Sequence, residues 1–289
     1  SFGDSLSDVG TYKVGTVATL GGGKYSVNGT GAIIWVEQLA SQLTLTAPCA
    51  AQTGLDGSAA QGFSVPVANH AGCTNYAQGG ARVTNPVGPG NKALGGANAT
   101  LGQLTVPVVT QLQNHLATTS SFAATDLVTV LAGGNEVIIH ASLVGASMET
   151  PAAAATALGT AGGELAALVK NQILAKGAKY VVVVTMPDVS VAPFAAAAGP
   201  THDLVKGLSM AFNAQLRTGL NGADVLIVDA FASSDENVAN PAAYGISNAT
   251  TPACDLTPAK NPLGSSLVCS ANNLITGDVS KYLFADSVH

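Results

Sequence analysis

Four short clusters in this chain hold residue types that can move a proton or activate a hydroxyl. Near the start, Gly3-Asp4-Ser5-Leu6 runs into Ser7-Asp8-Val9-Gly10. A serine on a tight turn beside a glycine, close to a helix N-terminus, presents its hydroxyl to a ligand. The plainer alternative is that Asp4, Ser5, Ser7 and Asp8 are N-cap residues, which are common. At the other end stands Asp286-Ser287-Val288-His289. An aspartate three residues before a histidine can hydrogen-bond the ring Nδ1 and leave Nε2 free to take a serine proton. Its plainer alternative is a solvated loop pair. Between these lie two clusters with donors. The paired glycines of Asn75-Tyr76-Ala77-Gln78-Gly79-Gly80-Ala81 let the backbone approach a ligand and turn an N–H outward. In Gly133-Gly134-Asn135-Glu136 the Asn side chain can donate a hydrogen bond. Each of these two, taken alone, reads more readily as a simple turn.

The elements around these clusters alternate strand and helix. Apolar residues Ile33, Ile34, Val36, Leu39 and Leu43 recur at spacings of three and four, which predicts a helix over 32–45. A second helix is expected over 105–117, with Pro107 in its first turn. Residues 151–176 read as one long helix beginning at Pro151 and ending before Gly177, and 201–220 as another. The runs 126–131, 180–185 and 224–229 are continuous and rich in β-branched residues, as buried parallel strands are. The first of them ends at Gly133-Gly134. Residues 47–74 and 84–103 read as loops, 76–83 as short and Gly-broken, and 233–282 as mostly loop with short helices. The alanines of 152–155 and 195–198 are expected on small-residue helix faces. Together these predict an α/β fold with a mainly parallel central sheet, helices on both faces, right-handed crossovers and long loops. In such a sheet ligands bind beyond the carboxyl ends of the strands. The GDS and GGN clusters both fall there.

Composition narrows the function. Charged residues make up 10% of the 289, hydrophobic residues 47%, and the net charge is -6. Disorder needs the opposite balance. The 11 Lys and Arg are too few and too scattered to track phosphates, and 5% aromatics make a poor base-stacking platform, so a nucleic-acid partner is not expected. No uninterrupted apolar run approaches a membrane span. Cys49, Cys73, Cys254 and Cys269 form no CxxC pair and no His stands at zinc-finger spacing, so no metal is expected. An even count in Gly-, Pro- and Ser-rich loops suits disulfides and an oxidising compartment, secreted, periplasmic or at the cell surface. Three pairings are possible; the two local ones, 49–73 and 254–269, are expected. His70, His115, His140 and His202 are dispersed and read as structural. Trp35 is expected in the core, and Tyr12 is a candidate for the cleft wall. A two-carboxylate glycosidase built on Asp4 and Asp8 would leave the His and Asn clusters without a role.

In order and content, the four clusters resemble the blocks of the SGNH hydrolases, the GDSL esterase/lipase family. Phe2-Gly3-Asp4-Ser5-Leu6-Ser7-Asp8 resembles the first block, the segment 75–81 the second, Gly133-Gly134-Asn135-Glu136 the third and Asp286-Ser287-Val288-His289 the last. Met186-Pro187-Asp188 after the strand 180–185 looks like a further family feature. The resemblance implies a three-layer α/β/α sandwich as one domain over 1–289. It implies a catalytic triad of Ser5, Asp286 and His289. The oxyanion hole it implies consists of the Ser5 backbone N–H, the Gly80 N–H (with Gly79 the alternative) and the Asn135 side chain. The implied reaction is ester hydrolysis through an acyl-enzyme, without a cofactor, on a small-molecule or lipid ester. Low charge favours neutral or lipid-like esters over sugar acetates. Carbohydrate or polymer O-deacetylation, or a non-catalytic surface domain of the same fold, are the alternatives. Two departures stand out. The third block usually ends in Asp where this chain has Glu136, and the first usually continues Gly-Asn where it has Gly10-Thr11. The family also has a strand before the first block and a helix after the last, so the sequence is expected to be trimmed at both ends.

Overall fold

The structure is a computed structural model and describes residues 1–196 and 200–289. Its strands are β1 (Phe2–Gly3), β2 (Gln52–Asp56), β3 (Ser64–Asn69), β4 (Leu127–Leu131), β5 (Tyr180–Val184) and β6 (Leu226–Val228). Four of them form the central sheet in the order β1-β4-β5-β6, every neighbouring pair parallel. The β-branched runs thus become central strands, as their composition predicts. β2 and β3 pair antiparallel in a separate hairpin inside the stretch expected to be loop. Its signal is weak because most of β3 faces solvent, so no apolar alternation develops.

The helices, in chain order, are α1 (Gly15–Thr19), α2 (Trp35–Gln42), α3 (Gly96–Leu101), α4 (Val108–Thr119), α5 (Gly134–Gly145), α6 (Pro151–Leu168), α7 (Pro193–Ala196), α8 (Pro200–Gly219) and α9 (Ala230–Ala239). α2 is shorter than its apolar pattern. Glu37 fixes its start by accepting the Ile34 N–H at 2.8 Å. Pro107 precedes α4 as its N-cap instead of lying inside it. Thr150 caps α6 and Pro151 opens it; the expected continuation to 176 widens into a π turn and then tightens into a 3-10 turn. Ala197 and Ala198 lie outside the described residues.

Successive strands are added to the sheet in one direction, and right-handed crossovers would carry α4, α5, α6 and α8, whose buried residues share one core, to the same face. The row Phe2, Val130, Val183 and Ile227, partners across the ladder, faces that layer. α5, α6 and α8 pack there around Val137, Leu158, Leu165, Leu208 and Phe212. α6 with its continuation, Pro151–Lys176, is long and apolar enough to cross a membrane by length and composition alone; here its buried residues belong to the core. The opposite row is covered by α2 near β1 and β4, while Tyr180 and Leu226 stay 62% exposed. A second cluster, around Tyr12, Val17, Tyr25 and Leu267, sits under the long loops and ties the hairpin side to the C-terminal segment.

Candidate active site

The sheet brings the first cluster to the carboxyl end of β1. The amide of Gln111, on α4, clamps Gly3 from both sides, accepting its N–H at 2.9 Å and donating to its carbonyl at 2.8 Å. Gly3 has φ +146, and any side chain there would strike the Leu131 carbonyl. Glycine at this position therefore lets the Ser5 turn lie against β4. Ser5 opens a 3-10 turn whose N-cap is Asp4, which accepts the Leu6 N–H at 3.1 Å. Asp8 closes it and accepts N–H groups from Gly10, Thr11 and Gly79 at 2.7–2.9 Å. Both aspartates thus have the capping role. Asp8 is fully buried with both oxygens engaged, which leaves no open carboxylate pair for glycoside chemistry.

The C-terminal cluster folds back onto this turn. His289 Nε2 lies 2.7 Å from Ser5 Oγ, and His289 Nδ1 lies 3.1 Å from each oxygen of Asp286. With Nδ1 facing the carboxylate, the network places the ring proton on Nδ1 and the lone pair of Nε2 toward Ser5. Asp286 is held in turn. It accepts the backbone N–H groups of Val288, His289 and Ser266 at 2.8, 2.7 and 2.6 Å. Burial opposes ionisation of Asp286, but the His289 ring and these donors overcome it and hold the carboxyl well below its usual range. Burial would lower the His289 ring in the same way. Asp286 at hydrogen-bond distance, and Asp4 beyond it, raise it above its ordinary 6.5.

The backbone N–H groups expected as oxyanion donors differ in how they are engaged. The Gly79 N–H is taken by Asp8, whereas the Ser5 and Gly80 N–H groups have no acceptor among the described residues. Gly80 has φ +76, which reverses the chain there. One amide hydrogen of Asn135 holds the Ala81 carbonyl at 2.8 Å, which sets Asn135 beside the Gly80 turn, and the other has no acceptor among the described residues. The third cluster proves to be the first turn of α5, a helix that sequence periodicity missed because it is apolar on most sides.

A cavity of about 210 Å³ opens beside Ser5, Asn135 and His289. Its wall is apolar: Leu131, Ile138, Met186, Val189, Leu283 and Phe284. Met186 is 1% exposed, and Asn213 on α8 grips its backbone on both sides at 2.8–2.9 Å. Asp188, at the cavity rim, pairs with Lys206 at 2.9 Å. Tyr25 is a site residue that sequence reasoning missed. Its ring lies 4.7 Å from that of His289, and its hydroxyl meets the Gln103 side chain. A lone tyrosine in a Gly- and Ser-rich loop carries no periodic signal.

The expectations for Tyr12 and Trp35 are corrected. Tyr12 does not line the cleft. It is fully buried, donates to the Gly79 carbonyl at 2.7 Å and so pins the second cluster from below. Trp35 is half-buried rather than core, because its Nε1 reaches the Ser7 hydroxyl at 3.2 Å. The other histidines stay apart. His115 packs among Phe2, Tyr76 and Phe122, His140 pairs with Glu149, His70 with Thr53, and His202 is near Asp203. Among the described residues no group of His, Cys, Asp and Glu could hold a metal ion. Cys49 is bonded to Cys73 and Cys254 to Cys269, with no cysteine free. The second bond closes the loop that carries Ser266, and so braces Asp286. Two disulfides are typical of extracellular proteins.

No curated protein matches the chain. The model of the GDSL-like Lipase/Acylhydrolase family matches residues 1–289, and the chain belongs to that family. Membership implies acylhydrolase chemistry.

Proposed function

We propose that this GDSL-family acylhydrolase is a serine esterase that cleaves neutral carboxylic esters of apolar acyl groups, acting as one domain outside the cytoplasm. The observation that carries the reading is the 2.7 Å contact of His289 Nε2 with Ser5 Oγ, backed by Asp286 at 3.1 Å on the far side of the ring. In this reading Ser5 Oγ attacks the ester carbonyl carbon as His289 Nε2 takes its proton. The carbonyl oxygen gains a negative charge that the N–H groups of Ser5 and Gly80 and the free amide hydrogen of Asn135 stabilise. Such donors act on charge that exists only near the transition state, so they raise kcat more than they tighten substrate binding. The C–O bond to the alcohol then breaks, and His289 hands its proton to the leaving oxygen. Water attacks the acyl-Ser5 ester with His289 again as base, releasing the acid and restoring the hydroxyl.

The substrate class follows from the cavity wall. Burying an acyl chain against Leu131, Ile138, Met186 and Val189 is worth about 0.8 kcal/mol per CH₂, and no cation among the cavity's lining residues would select an acidic substrate. Hydrolysis of a p-nitrophenyl ester series by the parent and by Ser5→Ala tests the reading. Turnover that rises from acetate to longer acyl groups and vanishes in Ser5→Ala is expected. Activity on acetate alone would favour O-deacetylation, and none on any ester would favour a non-catalytic domain.

A further inference from the structure

We infer that Glu136 is a positioning residue for the oxyanion hole, bracing the strap Gly80–Val83 from the first turn of α5. The inference rests on the acyl-transfer reading of the site. Two consecutive side chains of that turn grip the strap at two points. Asn135 Nδ2 donates to the Ala81 carbonyl at 2.8 Å, and Glu136 Oε1 accepts the Val83 N–H at 2.7 Å. Between them Arg82 turns back, its Nε 3.5 Å from the same Glu136 oxygen and its terminal nitrogen 3.2 Å from His140 Nε2. His140 Nδ1 meets Glu149 at 2.7 Å. A chain of polar contacts, Glu149–His140–Arg82–Glu136, thus leads to the strap.

Glu136 is 2% exposed, and its other oxygen has no hydrogen-bond partner among the described residues. Burial of this kind is costly for a carboxylate unless a specific contact requires it. Burial also pushes the carboxyl up to about 7, against the pull of the Val83 N–H and Arg82. The contact that requires it is the one to Val83, three residues after the Gly80 N–H. Besides Asn135, the strap is tied through its Arg82 and Val83 carbonyls, which accept the Val108 and Val109 N–H groups at 2.9 and 3.0 Å, and Glu136 alone fixes it from the α5 side at the Val83 N–H. A displacement of about 1 Å at a catalytic donor can cost about 10²-fold in rate. The chain length of Glu136 is part of the fit. An aspartate, a C–C bond of about 1.5 Å shorter, would not reach the Val83 N–H from the same backbone position. The departure from the family's usual residue is therefore matched to this strap.

The test compares Glu136→Leu, Glu136→Asp and Glu136→Gln with the parent, by steady-state hydrolysis and by the melting transition. Leu removes the acceptor, Asp withdraws it, and Gln keeps it while removing the charge. We expect kcat to fall by about 10–10²-fold in Leu and in Asp, with KM within about threefold, and Gln to recover to within about fivefold of the parent. A purely structural role would lower the melting temperature and leave kcat per folded molecule at the parental level. That result overturns the proposal, as does an equal loss in Gln. Hydrogen exchange at the Val83 amide reads the same contact without turnover. It should be protected in the parent and in Gln and exposed in Leu and Asp; equal protection in all four is refuting. If the parent hydrolyses no ester, the esterase reading fails, while the Val83 exchange still decides whether Glu136 holds the strap.

Discussion

Replacing Asn135 by Ala removes one amide with two separable jobs. One hydrogen holds the Ala81 carbonyl at 2.8 Å; the other is free to meet the oxyanion. Loss of the first leaves a buried carbonyl without its donor, a cost of about 1–3 kcal/mol. Even from the low end of natural stability, about 5 kcal/mol, at least about 2 kcal/mol remains, and about 97% of molecules stay folded. Unfolding therefore removes only a few per cent of the activity. Loss of the second hydrogen removes a donor from the transition state and should lower kcat by about 10²–10³-fold, or 2.7–4 kcal/mol. KM should barely move, because the charge is absent from the bound substrate. Stopped assays on a soluble ester, with the melting transition recorded on the same preparation, separate the two effects. A folded Asn135→Ala enzyme with parental kcat, or one that loses KM instead of kcat, would refute the reasoning.

Three further outcomes are expected. His289 must be neutral to act as base and its pKa lies above 6.5, so kcat/KM should fall as pH drops through a value above 6.5; a profile flat down to pH 5 would exclude it. Burial pushes Asp4 and Asp8 up to about 6 and Glu136 up to about 7. Groups with raised folded-state values bind protons more tightly when folded, so their stabilisation is full below the unfolded values near 4 and is lost as pH rises through 6 to 7. His289 acts with the same sign at higher pH, while His115, lowered by burial, acts with the opposite sign, so the carboxyl contribution is isolated by comparison: the melting temperature of Glu136→Gln should fall less between pH 5.5 and pH 8 than that of the parent. Replacing Cys254 and Cys269 by Ser should remove about 3 kcal/mol, the chain-entropy value for a 15-residue loop, and should also lower kcat, because the Ser266 N–H that braces Asp286 rides on that loop. Thermal melts and kinetics check this, and loss of stability at parental kcat would separate the loop from the site.

The sequence was most legible where chemistry and backbone geometry demand particular residue types. Ser5, Asp286 and His289 could be picked out because a hydroxyl turn and an Asp-x-x-His spacing are readable one-dimensionally, and the strands because 126–131 and 180–185 are continuously β-branched. At the second cluster the Gly79 N–H is engaged by a contact no local pattern carries: Asp8, 71 residues away, accepts it. Tyr25 and Glu136 were illegible for the same reason, since their partners His289, Gln103, Val83 and Arg82 come from distant segments. α5 was hidden because its apolar residues wrap most of its circumference, and β3 because its exposed side chains alternate too little.

The central claim is that Ser5 is the nucleophile and His289 its base. A fluorophosphonate probe, followed by peptide mapping by mass spectrometry, tests it most directly. The probe should modify the parent at Ser5 alone, at a rate that rises with pH through the His289 ionisation, and should modify neither Ser5→Ala nor any other serine in that variant. Ester turnover should disappear in step with labelling. Modification at a different serine, or an active Ser5→Ala enzyme, would contradict the account.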